Sequence, residues 1–381
     1  MRLTSALAAT GCLVLALVAA SACSPSPGSE AVPSVVPPTA STPAPTAAPT
    51  GAWRLDGDPE ALATGLAAPW SVVPLDGGGA LVSQRDDGAI VELTPDGRLR
   101  EVGTVPGVVS GGESGLHGLA LLVDDDTTWL YAYHGAADDN RVVRMPLLGA
   151  PGDLSLGETD VVLEGIPRAS THDGGRIAFG PDGRLYVATG DAQNPEAPQD
   201  PDSLGGKILR LEPDGASADG NPWGTAVWSM GHRNVQGMAW TQDGTMWASE
   251  FGQNTWDELN RIEPGGNYGW PLVEGEAGRD GLIDPVVSWA TSDASPSGIA
   301  AVGDTVFVAG LRGERLWLVD TADGELSGQP TAALAGEQGR LRDAVLAPDG
   351  TLWVLTGNTD GRGSPRAGDD LLLRLRLVPA S

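Results

Sequence analysis

The sequence predicts an all-β protein folded as a six-bladed β-propeller with four-stranded antiparallel blades. Three observations support it: a repeated turn signal, a short β-rich run after such a turn, and the regular recurrence of that run. The turn signals are TPDG, GPDG, TQDG and APDG, at residues 94, 180, 241 and 347. Turn residues between short apolar runs are typical of hairpins. Helical periodicity is scarce along the whole chain.

Six strand-like runs organise the chain. ALVSQ, TWLYAY, RLYVATG, TMWASE, TVFVAG and TLWVLTG start at residues 80, 128, 184, 245, 305 and 351, which spaces them 46 to 61 residues apart. A period near 50 built from short strands and turns is typical of β-propellers, in which each repeat forms one sheet around a central channel. A pair of β-sandwiches is the main alternative, but it does not predict this recurrence. We therefore expect one propeller domain over residues 53–381.

The N-terminal part of the chain indicates export. Residues 1–22 begin with Met and Arg and contain the apolar run LVLALVAA, as in a secretory signal. A cysteine directly after Ser-Ala predicts lipoprotein processing, with Cys23 acylated at the cell membrane; a plain secretory signal is the alternative. Residues 23–52, rich in Pro, Ser, Thr and Ala, predict an extended tether. The chain has only two cysteines, and Cys12 would leave with the signal, so we expect no disulfide in the mature protein.

The charge of the chain argues against nucleic acid and against an anionic lipid face as partners. Asp and Glu number 50 against 23 Lys and Arg, which gives a formal net charge of −27. Nucleic-acid-binding domains carry the opposite charge.

The turn spacing nevertheless places basic residues at one end of neighbouring blades. His172 and Arg233 each lie ten residues before the Asp of a turn signal, GPDG and TQDG respectively. Residues that precede the first strand of a hairpin, or follow its second strand, lie together at the end opposite the turn. The residues expected at this mouth of the channel are His172, Asp191, Arg233, Asn234, Arg312, Arg340 and Arg342. Such a cluster indicates a site for an anionic ligand.

Five motifs carry a family resemblance. HDGGRIAFGPDGRLYVATGD, GGKILRLEPDG, GHRNVQGMAW, PGGNYGWP and RLRDAVLAPDGTLWVLTG, in this order, resemble the glucose/sorbosone dehydrogenase family. This family includes soluble quinoprotein glucose dehydrogenase and bacterial aldose sugar dehydrogenases. The resemblance implies oxidation of the C1 hydroxyl of an aldose to the lactone, with pyrroloquinoline quinone (PQQ) held by calcium and an external electron acceptor. PQQ carries three carboxylates, which fits the arginine cluster.

The resemblance also implies roles for the clustered residues. His172 would be the general base that takes the proton of the sugar hydroxyl while hydride passes to the quinone, and Asp191 would orient it. Arg233 and Asn234 would contact the quinone oxygens, where Arg233 stabilises developing negative charge. The residues implied to bind the cofactor carboxylates are Arg312, Arg340 and Arg342.

The segment SEFGQNTWDELN resembles the calcium loop of the family. The resemblance implies that the carbonyl oxygens of Gly252 and Gln253 bind the calcium ion that holds the cofactor. Asp257 and Glu258 would bind a second, structural calcium ion. Calcium prefers oxygen ligands, including main-chain carbonyls.

The sugar-binding residues match the family less well. Glu113 stands where glucose-oxidising relatives have Gln, and Trp289 resembles an aromatic residue that stacks on the sugar, although the loop after it is about two residues longer. Three functions therefore stay open. The chain is expected to be a quinoprotein aldose dehydrogenase; the alternatives are a calcium-dependent propeller lactonase and a non-catalytic propeller that binds sugar or quinone.

Overall fold

The structure, a computed structural model, describes residues 50–380, which form β-strands, turns and a single 3₁₀ turn at Ala197–Gln199. The predicted signal, the acylated Cys23 and nearly all of the predicted tether lie outside the described residues. Within residues 50–380, no helix has the length and apolar character needed to cross a membrane.

The strands form six antiparallel sheets, numbered here as blades 1 to 6. The strand β1 (Trp53–Ala63) precedes blade 1, which consists of β2 (Pro69–Pro74), β3 (Ala80–Gln84), β4 (Ala89–Leu93) and β5 (Leu99–Thr104). Blade 2 consists of β6 (Leu116–Asp124), β7 (Thr127–Gly135), β8 (Asn140–Leu148), β9 (Ser155–Leu156) and β10 (Asp160–Ile166). Blade 3 consists of β11 (Ile177–Phe179), β12 (Leu185–Ala188), β13 (Lys207–Leu211) and β14 (Val227–Met230).

Blade 4 consists of β15 (Val235–Trp240), β16 (Met246–Glu250), β17 (Trp256–Ile262) and β18 (Val287–Ala290). Blade 5 consists of β19 (Pro296–Val302), β20 (Thr305–Gly310), β21 (Arg315–Ala322), β22 (Glu325–Leu326) and β23 (Thr331–Ala333). Blade 6 consists of β24 (Leu341–Leu346), β25 (Leu352–Thr356) and β26 (Leu372–Pro379), together with β1.

The six blades close into a ring, so the predicted six-bladed propeller is confirmed. The first strands of successive blades contact one another in the order β2, β6, β11, β15, β19, β24 and back to β2, and they surround the central channel. The last blade takes its outer strand from the start of the chain, because β1 pairs antiparallel with β26, with Trp53 opposite Pro379. Closure of this kind leaves few exposed strand edges.

The sequence repeat corresponds to one strand of each blade. The six runs found in the sequence lie on β3, β7, β12, β16, β20 and β25, the second strand of every blade. GPDG, TQDG and APDG join the first and second strands of blades 3, 4 and 6, whereas TPDG joins the third and fourth strands of blade 1. The turn glycine Gly183 has a φ of +73°, which glycine adopts without strain.

The core consists of six apolar clusters, one at each junction between neighbouring blades. Between blades 5 and 6, for example, Phe307 and Leu352 are both fully buried. Because every blade is packed on both sides, the loops at one end of the inner strands are held in fixed positions around the channel mouth.

Candidate active site

The site is centred on His172, which lies in the loop before β11. Its φ of +64° is left-handed, an uncommon conformation for a residue other than glycine. Its Nδ1 lies 2.7 Å from Oδ1 of Asp191, and its Nε2 lies 2.8 Å from Nη2 of Arg233. A guanidinium group can only donate, so Nε2 accepts and the ring hydrogen is on Nδ1, where it bonds Asp191. The neutral ring therefore presents a lone pair at Nε2.

Asp191 follows β12 and holds the histidine ring. Besides His172, it accepts hydrogen bonds from the Gln193 backbone N–H at 2.8 Å and from Nε1 of Trp270 at 2.8 Å. Burial raises the pKa of Asp191, but the hydrogen bonds from His172, Trp270 and Gln193 outweigh that effect and leave the pKa below its ordinary value. The carboxylate is therefore charged and can stabilise an imidazolium at His172.

Arg233 precedes β15 and connects the histidine to the following loop. Its Nε and Nη2 donate to Oε1 of Gln253 at 3.0 and 2.9 Å, and its Nη1 donates to the Phe251 carbonyl at 3.1 Å. The guanidinium also lies 5.4 Å from the centre of the Trp270 ring. Burial lowers the pKa of Arg233. The hydrogen bonds to Gln253, Phe251 and His172 hold the guanidinium of Arg233 in place, with its charge next to the histidine.

These side chains line an open pocket of about 570 Å³, large enough for a monosaccharide. Its lining consists of His172, Asp191, Gln193, Pro195, Arg233, Gln253, Trp270 and Pro271. The predicted convergence of His172, Asp191 and Arg233 from two neighbouring blades is therefore what the structure shows.

Asn234 has one buried group without a partner. Its Oδ1 accepts the Gly174 backbone N–H at 3.0 Å, but among the described residues its buried Nδ2 meets no hydrogen-bond acceptor. Buried polar groups are nearly always bonded, and an orphaned one needs an explanation. A ligand oxygen at the channel mouth would satisfy this donor.

A second, narrower pocket lies beside the first and is rich in arginine. Its charged lining residues are Arg85, Glu113, Asp173, Arg340, Arg342, Asp360 and Arg362. With four arginines and three carboxylates, the formal charge of the lining is positive, in a chain whose net charge is −27.

Arg340 and Arg342 share one carboxylate in this pocket. Their Nη2 atoms lie 2.8 and 3.2 Å from Oδ2 of Asp360. Burial lowers the pKa of Arg342 to about 10, and its buried Nε has no partner within residues 50–380. The pair therefore retains donor capacity that an anionic ligand could use.

Two predicted residues lie elsewhere. Arg312 is exposed in the turn after β20, where its neighbour Leu311 lines the arginine-rich pocket. Trp289 is 6% exposed and packs in the core between blades 4 and 5, with its ring 5.7 Å from that of Trp317. The structure does not bring either side chain to the lining of the two pockets.

The predicted calcium loop has an orderly backbone. The N–H groups of four consecutive residues, Gln253 to Trp256, converge on Oε1 of Glu274 at 2.7 to 3.1 Å. In a trans peptide the preceding carbonyl points the opposite way, so the oxygens of Gly252 and Gln253 face away from Glu274. Neither oxygen accepts a hydrogen bond from the described residues. Two free carbonyl oxygens beside the site suit a calcium ion.

Asp257 and Glu258 are adjacent on β17, so their side chains point to opposite faces of the sheet. Asp257 accepts the N–H groups of Gly252 and Ser295 at 2.9 and 2.6 Å, and Glu258 accepts that of Gly275 at 2.7 Å. Burial raises the pKa of Asp257 to about 6 and that of Glu258 to about 8. The structure does not bring these two carboxylates to a common point, and residues 50–380 hold no cluster of three or more His, Cys, Asp or Glu arranged for a metal.

Several site residues were not identified from the sequence. Trp270 lies within the motif PGGNYGWP, and Arg85 directly follows the strand-like run ALVSQ. Their positions in these patterns could have been used to predict both as site residues. Glu274 and Arg362 lie in loops without a repeat, and nothing in the sequence indicates what they contact.

Comparison with known proteins agrees with the fold and with the family resemblance. The sequence model of the Glucose / Sorbosone dehydrogenase family matches residues 66–374. An aldose sugar dehydrogenase of Escherichia coli (strain K12) is 30% identical over 349 residues, 81% of this chain and 92% of that protein. Quinoprotein glucose dehydrogenase B of Acinetobacter calcoaceticus is 31% identical over 230 residues, 51% of this chain and 48% of that protein.

A solved structure extends the similarity to the whole propeller. The PQQ-bound form of aldose sugar dehydrogenase from Streptomyces coelicolor is 49% identical, with a TM-score of 0.83, and the match covers 87% of this chain and 100% of that chain. The prediction of an oxidoreductase of the quinoprotein type is confirmed by these relatives. The chain belongs to the glucose/sorbosone dehydrogenase family.

Proposed function

We propose that this protein oxidises the C1 hydroxyl of aldose sugars to lactones, with PQQ held by Ca²⁺ as its cofactor. The observation that carries the proposal is the His172 ring, which Asp191 and Arg233 hold as a neutral tautomer with the lone pair of Nε2 at an open pocket. A sugar hydroxyl is a suitable partner for such a base.

His172 removes the hydroxyl proton in this mechanism. The hydroxyl replaces Nη2 of Arg233 at Nε2 and donates its proton there, while the charged Asp191 stabilises the imidazolium that forms. Trp270, bonded to the other oxygen of Asp191, keeps that carboxylate from turning away. The base is therefore oriented before substrate arrives.

The residues of the channel mouth fit the cofactor. Arg340 and Arg342 would hold its carboxylates, the unpartnered Nδ2 of Asn234 would donate to a quinone oxygen, and the free carbonyls of Gly252 and Gln253 would bind Ca²⁺. PQQ, when bound, supplies the electron acceptor for the hydride that leaves C1 of the sugar. Arg233 would stabilise the negative charge that develops on the quinone.

The arginine-rich lining favours an anionic cofactor over the hydrolytic alternative. A lactonase centre would need several oxygen ligands converging on one metal ion, whereas the narrower pocket is lined by four guanidinium groups and three carboxylates. The relatives described above, an aldose sugar dehydrogenase and a quinoprotein glucose dehydrogenase, also favour sugar oxidation.

The test is reconstitution of the metal-free protein with PQQ and Ca²⁺, followed by dye reduction with a panel of aldoses. We expect aldose-dependent dye reduction that requires both additions and is lost in His172→Ala. Hydrolysis of lactones without added quinone, and no dye reduction with any aldose, would contradict the proposal.

We further propose that the protein is exported and anchored to the cell membrane through a lipid on Cys23, and passes electrons to an external acceptor. The N-terminal run ending in Ser-Ala-Cys supports export and anchoring. Metabolic labelling with a palmitate analogue in a bacterial host should mark the full chain and not a Cys23→Ala variant. Equal absence of label in both chains would contradict lipidation.

A further inference from the structure

Glu113 reaches the catalytic loop in two ways. Its backbone N–H donates to the Ser170 carbonyl at 2.9 Å, and its Oε2 accepts the backbone N–H of His172 at 2.8 Å. The neighbouring Gly112 allows this close approach, since a Cβ there would collide with the Ser170 carbonyl. Glu113, in the loop before β6 of blade 2, is thus bound to the segment that carries His172.

Arg362 forms an ion pair with Glu113. Its Nη2 lies 2.8 Å from Oε1 of Glu113, whose side chain is only 17% exposed. Arg362 belongs to the loop between β25 and β26 of blade 6, and Oδ1 of Asp360 accepts its backbone N–H at 2.9 Å. The ion pair therefore connects the loops of two blades, and both of its residues line the arginine-rich pocket.

The backbone of His172 needs such a restraint. Its left-handed φ of +64° is unfavourable for a residue with a Cβ and persists only where surrounding contacts enforce it. The carbonyl of His172 accepts the Ala192 N–H at 3.1 Å, and its own N–H bonds only Glu113 among the described residues. Without that acceptor the residue can relax towards negative φ, which would move Nε2 away from Arg233.

We propose that Glu113 is a positioning residue that holds the left-handed backbone of His172, and that Arg362 orients Glu113 for this role. The catalytic part of this inference rests on the proposed function. In this proposal Glu113 acts on His172, whereas the family resemblance suggests that this position contacts sugar hydroxyls.

The position of His172 can be measured without an activity assay. The other three histidines of the chain are at most 1% exposed, so His172 is the histidine that a chemical reagent can reach. Carbethoxylation by diethyl pyrocarbonate, followed at the His172 peptide by mass spectrometry, therefore reports on Nε2 in the cofactor-free protein. Glu113→Ala should speed this modification at least threefold, since Nε2 loses its bond to Arg233. Glu113→Gln should stay within about twofold of wild type, because its amide oxygen can still accept the His172 N–H.

The reconstituted enzyme provides the second readout. Glu113→Ala should lower kcat at least tenfold with less than threefold change in KM, and Glu113→Gln should restore most of kcat. Arg362→Gln should lower kcat about threefold alone and add nothing to Glu113→Ala, because Arg362 acts through Glu113. Arg98→Gln, which breaks an exposed ion pair with Asp96, is the matched control and should change neither readout.

Two results would overturn the inference. One is a wild-type rate of His172 modification in Glu113→Ala. The other is a change in KM without a change in kcat in Glu113→Ala, which would mean that Glu113 contacts the sugar and does not position His172. If no aldose is oxidised by the wild-type protein, the proposed function fails, while the modification rates still decide the positioning role. Thermal unfolding of each variant shows whether it has folded.

Discussion

His172 and His232 each bond a carboxylate through Nδ1, yet their surroundings differ. His172 lies 2.7 Å from Asp191, with a side chain 17% exposed to the larger pocket. His232 lies 3.0 Å from Glu250, is completely buried, and bonds Oγ of Ser229 at 2.8 Å through Nε2. Burial lowers the pKa of His232 to about 3, so it stays neutral. A histidine–carboxylate pair therefore becomes a base only where Nε2 can reach a substrate.

The largest effect is expected at the His172–Asp191 pair, which lines the larger pocket. His172→Gln should lower kcat on the order of 10²- to 10⁴-fold, because it removes the group that takes the proton. Its unfolding midpoint in urea should stay close to that of the wild type. Steady-state dye reduction with the best aldose measures the effect, and a loss below tenfold would show that another group is the base.

The buried pair should respond in the opposite way. His232→Gln should lower the free energy of unfolding by about 1–3 kcal/mol, because Ser229 and Glu250 are left with poorly matched partners in a buried site. Its kcat should fall less than tenfold. Urea unfolding and steady-state kinetics on one preparation separate the two effects. A catalytic loss equal to that of His172→Gln would contradict the comparison.

Two tryptophans extend the comparison from histidines to aromatic residues. Trp270→Phe removes the indole donor to Asp191 and should lower kcat several-fold with little change in stability. Trp289→Phe opens space in the core between blades 4 and 5 and should lower the free energy of unfolding by about 1–3 kcal/mol, with kcat unchanged. If Trp289→Phe instead raises KM alone, its predicted stacking on the sugar would be supported.

The smallest expected effect is a change in the pH dependence of the unfolding free energy, and it comes from His117. His117 is stacked between Trp70 and Tyr133, its Nδ1 is buried without a partner among the described residues, and burial lowers its pKa to about 3. Below its unfolded pKa, about 6.5, the unfolded chain takes up a proton that the folded chain does not. Stability from this group is therefore lost as the pH falls from about 6.5 towards 3.

Urea unfolding at pH 7.0 and pH 5.0 checks this sign. His117→Phe, which keeps a ring in the stack, should reduce the loss of unfolding free energy between the two pH values by about 1–2 kcal/mol. An identical pH dependence in the variant and the wild type would refute the assignment.

The sequence predicted the propeller and the centre of the site because both follow from the repeat. The turn spacing placed His172 and Arg233 at the same end of neighbouring blades, and the structure joins them at 2.8 Å. Spacing does not determine which face of an outer strand is covered, so the burial of Trp289 could not be predicted. Nor does it determine loop paths, which bring Arg362 from blade 6 to Glu113 in blade 2.

The most direct test of the account is the rate of cofactor reduction in a single turnover. Wild type, His172→Gln and His232→Gln are each loaded with PQQ and Ca²⁺ without oxygen, and the absorption spectrum is followed after one addition of aldose. We expect equal loading of all three proteins, near wild-type reduction in His232→Gln, and reduction at least 100-fold slower in His172→Gln. Equal rates in His172→Gln and wild type would contradict it.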